Sequence, residues 1–377
     1  MRITENKIEY RQLMFAVACF LQCVSVHISI LINNAGQASW LIVILSGLMG
    51  IVGCLLMAGL CGVYGRRNLY EMLKSGLGKY IGTVVAIAYV CFFFWKFCDT
   101  LFEFTSFIKS TVLLKTPSWI IDVLIIVVCV SAARKGAAVF SSMSFGIAVI
   151  VLSFIVLSGI LLIPNSDIQN FLPVFSNDFK SYMNSFFVSS AEPFGEIVAF
   201  LMIIPFLKKE EKNKKLVKAL TWGVVIGTLT ILLEVMRDVS ALGVFSRFFT
   251  YPSFESIRLI DVGEVFSRVE IIYVILYTFL TFFKGTVLLF ALSEMVKGVT
   301  KTKRFSFIPV ISLMAFLTTT LGNDRVFNGI YMDFKMNMII NWIFAYIIPA
   351  ILLAVGFIGV TIKLYKGRAS KESLSVS

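Results

Sequence analysis

The sequence is poor in charge and almost without histidine. Of its 377 residues, 15% are charged and one is a histidine, whereas roughly a quarter of the residues in a soluble domain carry charge. Hydrophobic residues make up 58% of the chain, and phenylalanine alone occurs 36 times. This composition excludes a soluble globular protein, a disordered chain and a coiled coil. It predicts a protein whose side chains pack in hydrocarbon.

Sequence motifs of catalysis and metal binding are also missing. The sequence contains no phosphate-binding P-loop, no GxSxG nucleophile motif and no HExxH zinc motif. Its seven cysteines fall within apolar runs and form no CxxC pair, which argues against a disulfide framework or a metal knuckle. We therefore expect neither an enzyme nor an ATP-driven pump, and we expect no cofactor and no bound metal.

The chain is basic, with a net charge of +12. Membrane proteins concentrate Lys and Arg in their cytoplasmic loops, and this topological cause accounts for an excess of positive charge. We therefore expect contact with membrane lipid and no binding of nucleic acid.

Long apolar runs predict transmembrane helices. A helix needs roughly 20 apolar residues to cross a hydrocarbon core of about 30 Å, and ten runs come near this length, the fourth and ninth being the shortest. We predict an all-α integral membrane protein with ten transmembrane helices, in a single transmembrane domain covering residues 1–377. The runs cover approximately residues 12–32, 39–63, 84–108, 119–133, 139–163, 182–206, 216–237, 270–295, 306–321 and 338–362.

The distribution of basic residues predicts the orientation. If the N-terminus is inside, 23 of the 34 Lys and Arg residues fall in inner segments and 9 fall in outer segments, as the positive-inside rule requires. Both termini are therefore expected in the cytoplasm. Ten spans divide into two halves of five with opposite orientation, approximately residues 12–163 and 182–362. This parity predicts the 5+5 inverted repeat of many secondary transporters.

In such folds the first span of each half is broken near the midplane, and the freed backbone lines a binding site. The sixth span has proline and glycine within an apolar run, and the first span has a weaker polar interruption without either residue. We predict that helices one and six are broken and form the ligand site, although a packing kink is the alternative reading of a single proline. The candidate ligand-binding residues are Val24, Ser25, Val26, His27, Ala191, Glu192, Pro193, Phe194, Gly195 and Glu196.

Four further ionisable residues within the predicted spans are candidate site residues, because an unpaired charge there costs at least about 2.5–3.5 kcal/mol. Lys96, Asp99 and Glu103 share one face of the third span, and Lys284 lies within the eighth. Counting the helical rise places Lys96, Glu192 and Lys284 near the midplane. We predict a charge network, which either surrounds a ligand or proton site or only ties helices together. Lys284 in particular needs a carboxylate partner within about 4 Å.

Three segments carry a resemblance to a known family. The outer segment 251–270 has a Tyr-Pro…Phe-x-Arg-x-Glu pattern, residues 36–40 read Gly-Gln-Ala-Ser-Trp, and residues 205–207 read Pro-Phe-Leu. With the span count, these features resemble the spore germination permease family, the B subunits of GerA-type nutrient germinant receptors, within the amino acid–polyamine–organocation (APC) transporter superfamily. The sequence departs from the family at Tyr277, where Trp is usual, and over residues 25–34, where Gly or Pro is usual.

The resemblance implies an inverted-repeat transporter fold (LeuT/APC-like) in the spore inner membrane. It also implies partnership with A and C subunits of a germinant receptor and a small-molecule nutrient, such as an amino acid, as ligand. The expected function is a nutrient-sensing subunit that triggers germination. The alternative is an active ion-coupled amino acid transporter, because both functions need the same broken helices.

Overall fold

The computed structural model of the chain describes residues 7–208, 213–260, 268–301, 307–322 and 334–359. Within these ranges the regular structure is helical, with one isolated parallel bridge between Ile8 and Leu207. The prediction of an all-α protein is therefore confirmed. The cytoplasmic location predicted for the termini concerns residues 1–6 and 360–377, which lie outside the described residues.

The main helices follow the predicted apolar runs, with two short helices between them. Helix α4 begins after Asn68, whose side chain accepts a hydrogen bond from Glu71 N, and α10 begins at Pro252, which suits a first helical position. The bounds are α1 Tyr10–Leu21, α2 Ser25–Ala35, α3 Ser39–Tyr64, α4 Leu69–Leu77, α5 Lys79–Thr111, α6 Ser118–Lys135, α7 Ala137–Leu161, α8 Phe179–Ala191, α9 Asn213–Leu242, α10 Pro252–Arg258, α11 Glu270–Thr300, α12 Ile308–Gly322 and α13 Phe334–Trp342. After α13 the chain continues through a π-helical turn, Ile343–Ile347, into a helix that reaches residue 359.

Seven helical stretches in the described ranges are long and apolar enough to cross a membrane. The predicted first and ninth spans fall on shorter apolar helices, and the fourth falls on α6, an 18-residue helix that carries Asp122 and two basic residues at its end. The count of ten spans therefore stays a prediction. The seven stretches are His27–Tyr64, Lys79–Thr111, Ala137–Leu161, Phe179–Met202, Asn213–Phe248, Glu270–Thr300 and Met336–Gly359.

The helical path is interrupted at two places. Helix α1 ends at Leu21 and α2 begins at Ser25, although this stretch contains neither proline nor glycine. Helix α8 ends at Ala191, and a turn then leads into a 3-10 segment over Gly195–Met202. Because Pro193 has no backbone N–H, the α-helical hydrogen bonding cannot continue through it. Each interruption frees backbone groups inside the protein.

Small residues bring the helices around these interruptions close together. Helix α1 packs against α9, where a Cβ added at Gly223 would lie 2.7 Å from the Met14 carbonyl oxygen. A Cβ at Gly227 would lie 2.7 Å from a methyl group of Leu21, the last residue of α1. Glycine at both positions therefore permits the close backbone approach that is typical of membrane helices.

A buried polar cluster holds α10 on the end of α9. Asp238 accepts hydrogen bonds from Ser253 and Ser256 of α10, at 2.5 and 2.6 Å, and from Arg237, at 2.8 Å. Arg237 also lies 3.8 Å from Glu234, one turn away, so the closest carboxylate partner of the arginine is its neighbour Asp238. Part of the Tyr-Pro segment is thus fixed to the helix bundle by charge-assisted hydrogen bonds. Residues 261–267 of that segment lie outside the described residues.

Candidate functional site

Glu192, the residue that follows the end of α8, is in contact with three other elements. Its Oε2 lies 2.7 Å from His27 Nε2 of α2, and its Oε1 accepts a hydrogen bond of 2.5 Å from Asn341 of α13. The carboxylate also forms an ion pair with Lys96 of α5. The carboxylate at one interruption therefore touches the helix that follows the other interruption.

Lys96 is surrounded by carboxylates. Its Nζ lies 3.3 Å from Asp99 Oδ2 and 3.3 Å from Glu196 Oε1, in addition to its ion pair with Glu192. The three carboxylates have oxygen atoms within 4.8 Å of one another, a spacing that suits a cation. Since the lysine is 1% exposed, its ammonium is the cation that these three carboxylates share.

Lys284 of α11 is paired with the second glutamate of the interruption. Its Nζ lies 2.7 Å from Glu196 Oε2, and both side chains are 2% exposed. Glu196 therefore lies between two lysines, one from α5 and one from α11. An ammonium and a carboxylate buried to this extent need such pairing, because neither is solvated by water.

His27 connects the cluster to a further carboxylate. Its Nδ1 lies 3.8 Å from Glu103 Oε1, while its Nε2 contacts Glu192 on the other side of the ring. The histidine thus bridges α5 and the end of α8. The structure brings together all four predicted network residues and three of the predicted ligand-binding residues. We call this set the ion cluster, and its members are His27, Lys96, Asp99, Glu103, Glu192, Glu196 and Lys284.

The remaining predicted ligand-binding residues line the interruptions without joining the ion cluster. Val24, Ala191, Pro193, Phe194 and Gly195 are buried. A Cβ added at Gly195 would lie 2.8 Å from the Cβ of Ala345 in the π-helical turn, so this glycine permits close contact with the last helix. The side chains of Ser25 and Val26 lie outside the described part of the chain.

The last helix contributes three contacts that were not predicted from the sequence. Asn341 donates to Glu192, and Tyr346 Oη donates 2.8 Å to the carbonyl oxygen of Ser190, in the last turn of α8. Trp342 Nε1 donates to the carbonyl oxygen of Phe187, in the same helix. A carboxamide at position 341, within an apolar run, is a signal for such a role, since buried amides in membranes find partners.

Solved structures with the same fold define the class to which this arrangement belongs. The chain is similar to MhsT in complex with L-phenylalanine, with a TM-score of 0.61, 14% identity, and coverage of 91% of this chain and 87% of that one. It is also similar to Mhp1, a nucleobase-cation-symport-1 family transporter, in a closed conformation with bromovinylhydantoin bound. That match has a TM-score of 0.63, 10% identity, and coverage of 87% and 75%. The fold is that of a membrane transporter.

Sequence comparison defines the family within this class. The family model described as "Spore germination protein" matches residues 7–327, so the chain belongs to the spore germination permease family. Spore germination protein KB of Bacillus subtilis (strain 168) is 27% identical over 264 residues, which cover 69% of this chain and 70% of that protein. Spore germination protein YndE of the same organism is 23% identical over 287 residues, with coverage of 73% and 77%. The predicted family is therefore confirmed.

Proposed function

We propose that this protein is the nutrient-sensing membrane subunit of a spore germinant receptor. Its ligand is a small nutrient, an amino acid in the simplest case, bound at the membrane midplane between broken helices one and six. The observation that carries the proposal is the ion cluster, because Glu192 at one interruption touches His27 just beyond the other. A ligand that changes either interruption would thereby change the packing of both.

The proposal includes a topology and a cellular setting. The protein has ten spans in a 5+5 inverted repeat, forms a single domain with repeats at about 12–163 and 182–362, and has both termini in the cytoplasm. It lies in the spore inner membrane with A and C subunits and has no enzymatic activity. The interrupted helices, the basic inner segments and the relatives named for germination support this assignment.

The fold favours a second candidate, an ion-coupled amino acid transporter. MhsT and Mhp1 share the fold, and in secondary transporters generally, interrupted helices line the substrate and ion sites. Lys96 and Lys284 weigh against ion coupling here. A lysine ammonium already occupies the space among three carboxylates where a transported cation would otherwise be held.

Reconstitution separates the two functions. The full chain is placed in liposomes under an imposed proton or sodium gradient, and labelled amino acids are offered one at a time. The receptor proposal predicts saturable binding without concentrative uptake. Uptake above the external concentration that collapses with the gradient would support the transporter instead. Vesicles that contain a Glu192→Gln variant serve as the control for binding outside the proposed site.

A further inference from the structure

A small cavity adjoins Glu192 on the side of the last helix. It has a volume of about 10 Å³ for the centre of a water-sized group, which is close to what one such group needs. A single ammonium group is of this size. The cavity is lined by Val188, Ala191, Glu192, Asn337, Met338 and Asn341.

The orientation of the Asn341 carboxamide leaves an acceptor at this cavity. Its Nδ2 donates to Glu192 Oε1, at 2.5 Å, and to Asn337 Oδ1, at 2.9 Å. Turning the amide over would place its oxygen against the carboxylate, so the hydrogen-bond partners fix the orientation. Asn341 is 1% exposed, and its Oδ1 has no hydrogen-bond partner among the described residues. A buried carbonyl oxygen without a donor is costly.

The charge of the ion cluster points to the same kind of ligand. Asp99, Glu192 and Glu196 lie against the ammonium groups of Lys96 and Lys284. A fourth carboxylate, that of Glu103, lies against His27. The cluster thus has more acidic groups than basic ones, with four carboxylates against two ammonium groups and one imidazole. A buried excess of one sign is unfavourable unless a charge of the opposite sign compensates it.

We infer that the cavity beside Glu192 receives the primary ammonium group of the ligand, with the Glu192 carboxylate and Asn341 Oδ1 as its acceptors. This inference rests on the proposed function and assigns the chemical class of the nutrient: a compound with a free primary amine. On binding, the ammonium shares Glu192 with Lys96, which keeps Asp99 and Glu196 as partners. The added positive charge reduces the carboxylate excess, so ligand binding tightens the contact between α8, α5 and α13.

The experiment measures thermal unfolding of the full chain in lipid nanodiscs. Each amino acid is compared with the 2-hydroxy acid that has the same side chain and with the N-acetyl derivative of the amino acid. The first set is L-alanine, L-lactate and N-acetyl-L-alanine. In the unaltered protein, the amine should bind at least about tenfold more tightly than its hydroxy or acetylated counterpart, since charged hydrogen bonds are the strong ones. Asn341→Leu should lose most of this preference. Met336→Leu, at an exposed position on the same helix and outside the cavity lining, should retain it.

The outcomes distinguish a failure of the ammonium assignment from a failure of the proposed function. If a hydroxy acid binds as tightly as its amino acid, or if Asn341→Leu keeps the preference, the ammonium assignment is overturned while nutrient binding stands. If no compound of any series binds the unaltered protein, the proposed function fails and this inference with it. The comparison of amine with hydroxy acid needs no variant, so a misfolded Asn341→Leu protein would not remove the test.

Discussion

Lys284 Nζ lies 2.7 Å from Glu196 Oε2 and joins α11 to the segment that follows the interruption after α8. Both side chains are almost wholly buried, where neither charge is tolerated alone. Glu196 also faces Lys96 at 3.3 Å, so its carboxylate lies between two cations from different helices. The position of the 3-10 segment is thus coupled electrostatically to α5 and α11.

Replacing Lys284 should reveal whether its charge is required. We hypothesise that Lys284 is a fixed internal cation in the place of a transported ion. Lys284→Met then removes one of the two cations that face Glu196, and breaking a buried pair typically costs about 3–5 kcal/mol. Lys284→Arg keeps the charge. We expect the first variant to lose nutrient-triggered germination or membrane abundance, and the second to lose clearly less, as measured by spore germination assays and immunoblots.

The two substitutions are matched in size, so the difference between them reports charge. A phenylalanine ring, that of Phe20, lies 5.6 Å from the Lys284 ammonium, and an arginine can keep this contact as well. Equal behaviour of both variants and the parent protein would show that the charge has no role.

Gly195 should be intolerant of a side chain, because a Cβ there would lie 2.8 Å from the Cβ of Ala345 in the π-helical turn. We expect Gly195→Leu to abolish the nutrient response while the amount of protein in the membrane stays normal. Gly146→Leu is the matched control, since a Cβ at Gly146 has no neighbour within 4 Å. A parent-like dose–response curve for Gly195→Leu would exclude the site at this interruption.

Much of the fold follows from the apolar runs alone. The run at residues 84–108, for example, becomes α5, although the helix extends over Lys79–Thr111. The ends differ because hydrophobicity marks only the part of a helix that lies in hydrocarbon, whereas the backbone hydrogen bonds continue into the polar flanks. Helix α4 has nine residues and no long apolar run, so its sequence signals are Asn68 as N-cap and the helical spacing of the buried Leu69, Met72 and Leu73.

Most residues of the site could be predicted from the sequence, but the pairs that they form could be predicted less well. Depth along each helix brought Lys96 and Glu192 to one level, because helical rise is constant. Which carboxylate meets Lys284 depends on helix rotation and packing, which spacing within one helix does not determine. Asn341 was missed because a neutral amide carries no cost comparable with that of a charge in hydrocarbon.

Next to the start of α1, Glu9 and Lys208 should give a pH-dependent contact. Lys208 Nζ lies 2.6 Å from Glu9 Oε1, and this ammonium lowers the pKa of the glutamate below its ordinary value of 4.5. The pair therefore stabilises the fold above pH 4.5, and its contribution is lost as the pH falls through the lowered pKa. The pair is exposed, so its effect should be small. Unfolding temperatures of the parent and Glu9→Gln should differ slightly at pH 7 and converge near pH 3; a constant difference would contradict the linkage.

The buried Arg237–Asp238 pair should matter far more than the exposed pair on the neighbouring helix. Asp238→Ala removes the carboxylate that accepts hydrogen bonds from Arg237, Ser253 and Ser256, and leaves a buried arginine with Glu234, at 3.8 Å, as its nearest charged partner. Such a loss typically costs about 3–5 kcal/mol. The variant should unfold several degrees lower in detergent and expose α10 to limited proteolysis.

The matched control lies on α10 itself. Arg258 and Glu255 form an ion pair at 2.9 Å, with the arginine side chain 54% exposed, and exposed pairs contribute about 0–1 kcal/mol. Glu255→Ala should therefore leave both the unfolding temperature and the proteolysis pattern near those of the parent. If the two variants lose the same stability, the anchoring of α10 would have to come from the apolar contacts of residues such as Phe254, which is 5% exposed, and not from the Asp238 carboxylate.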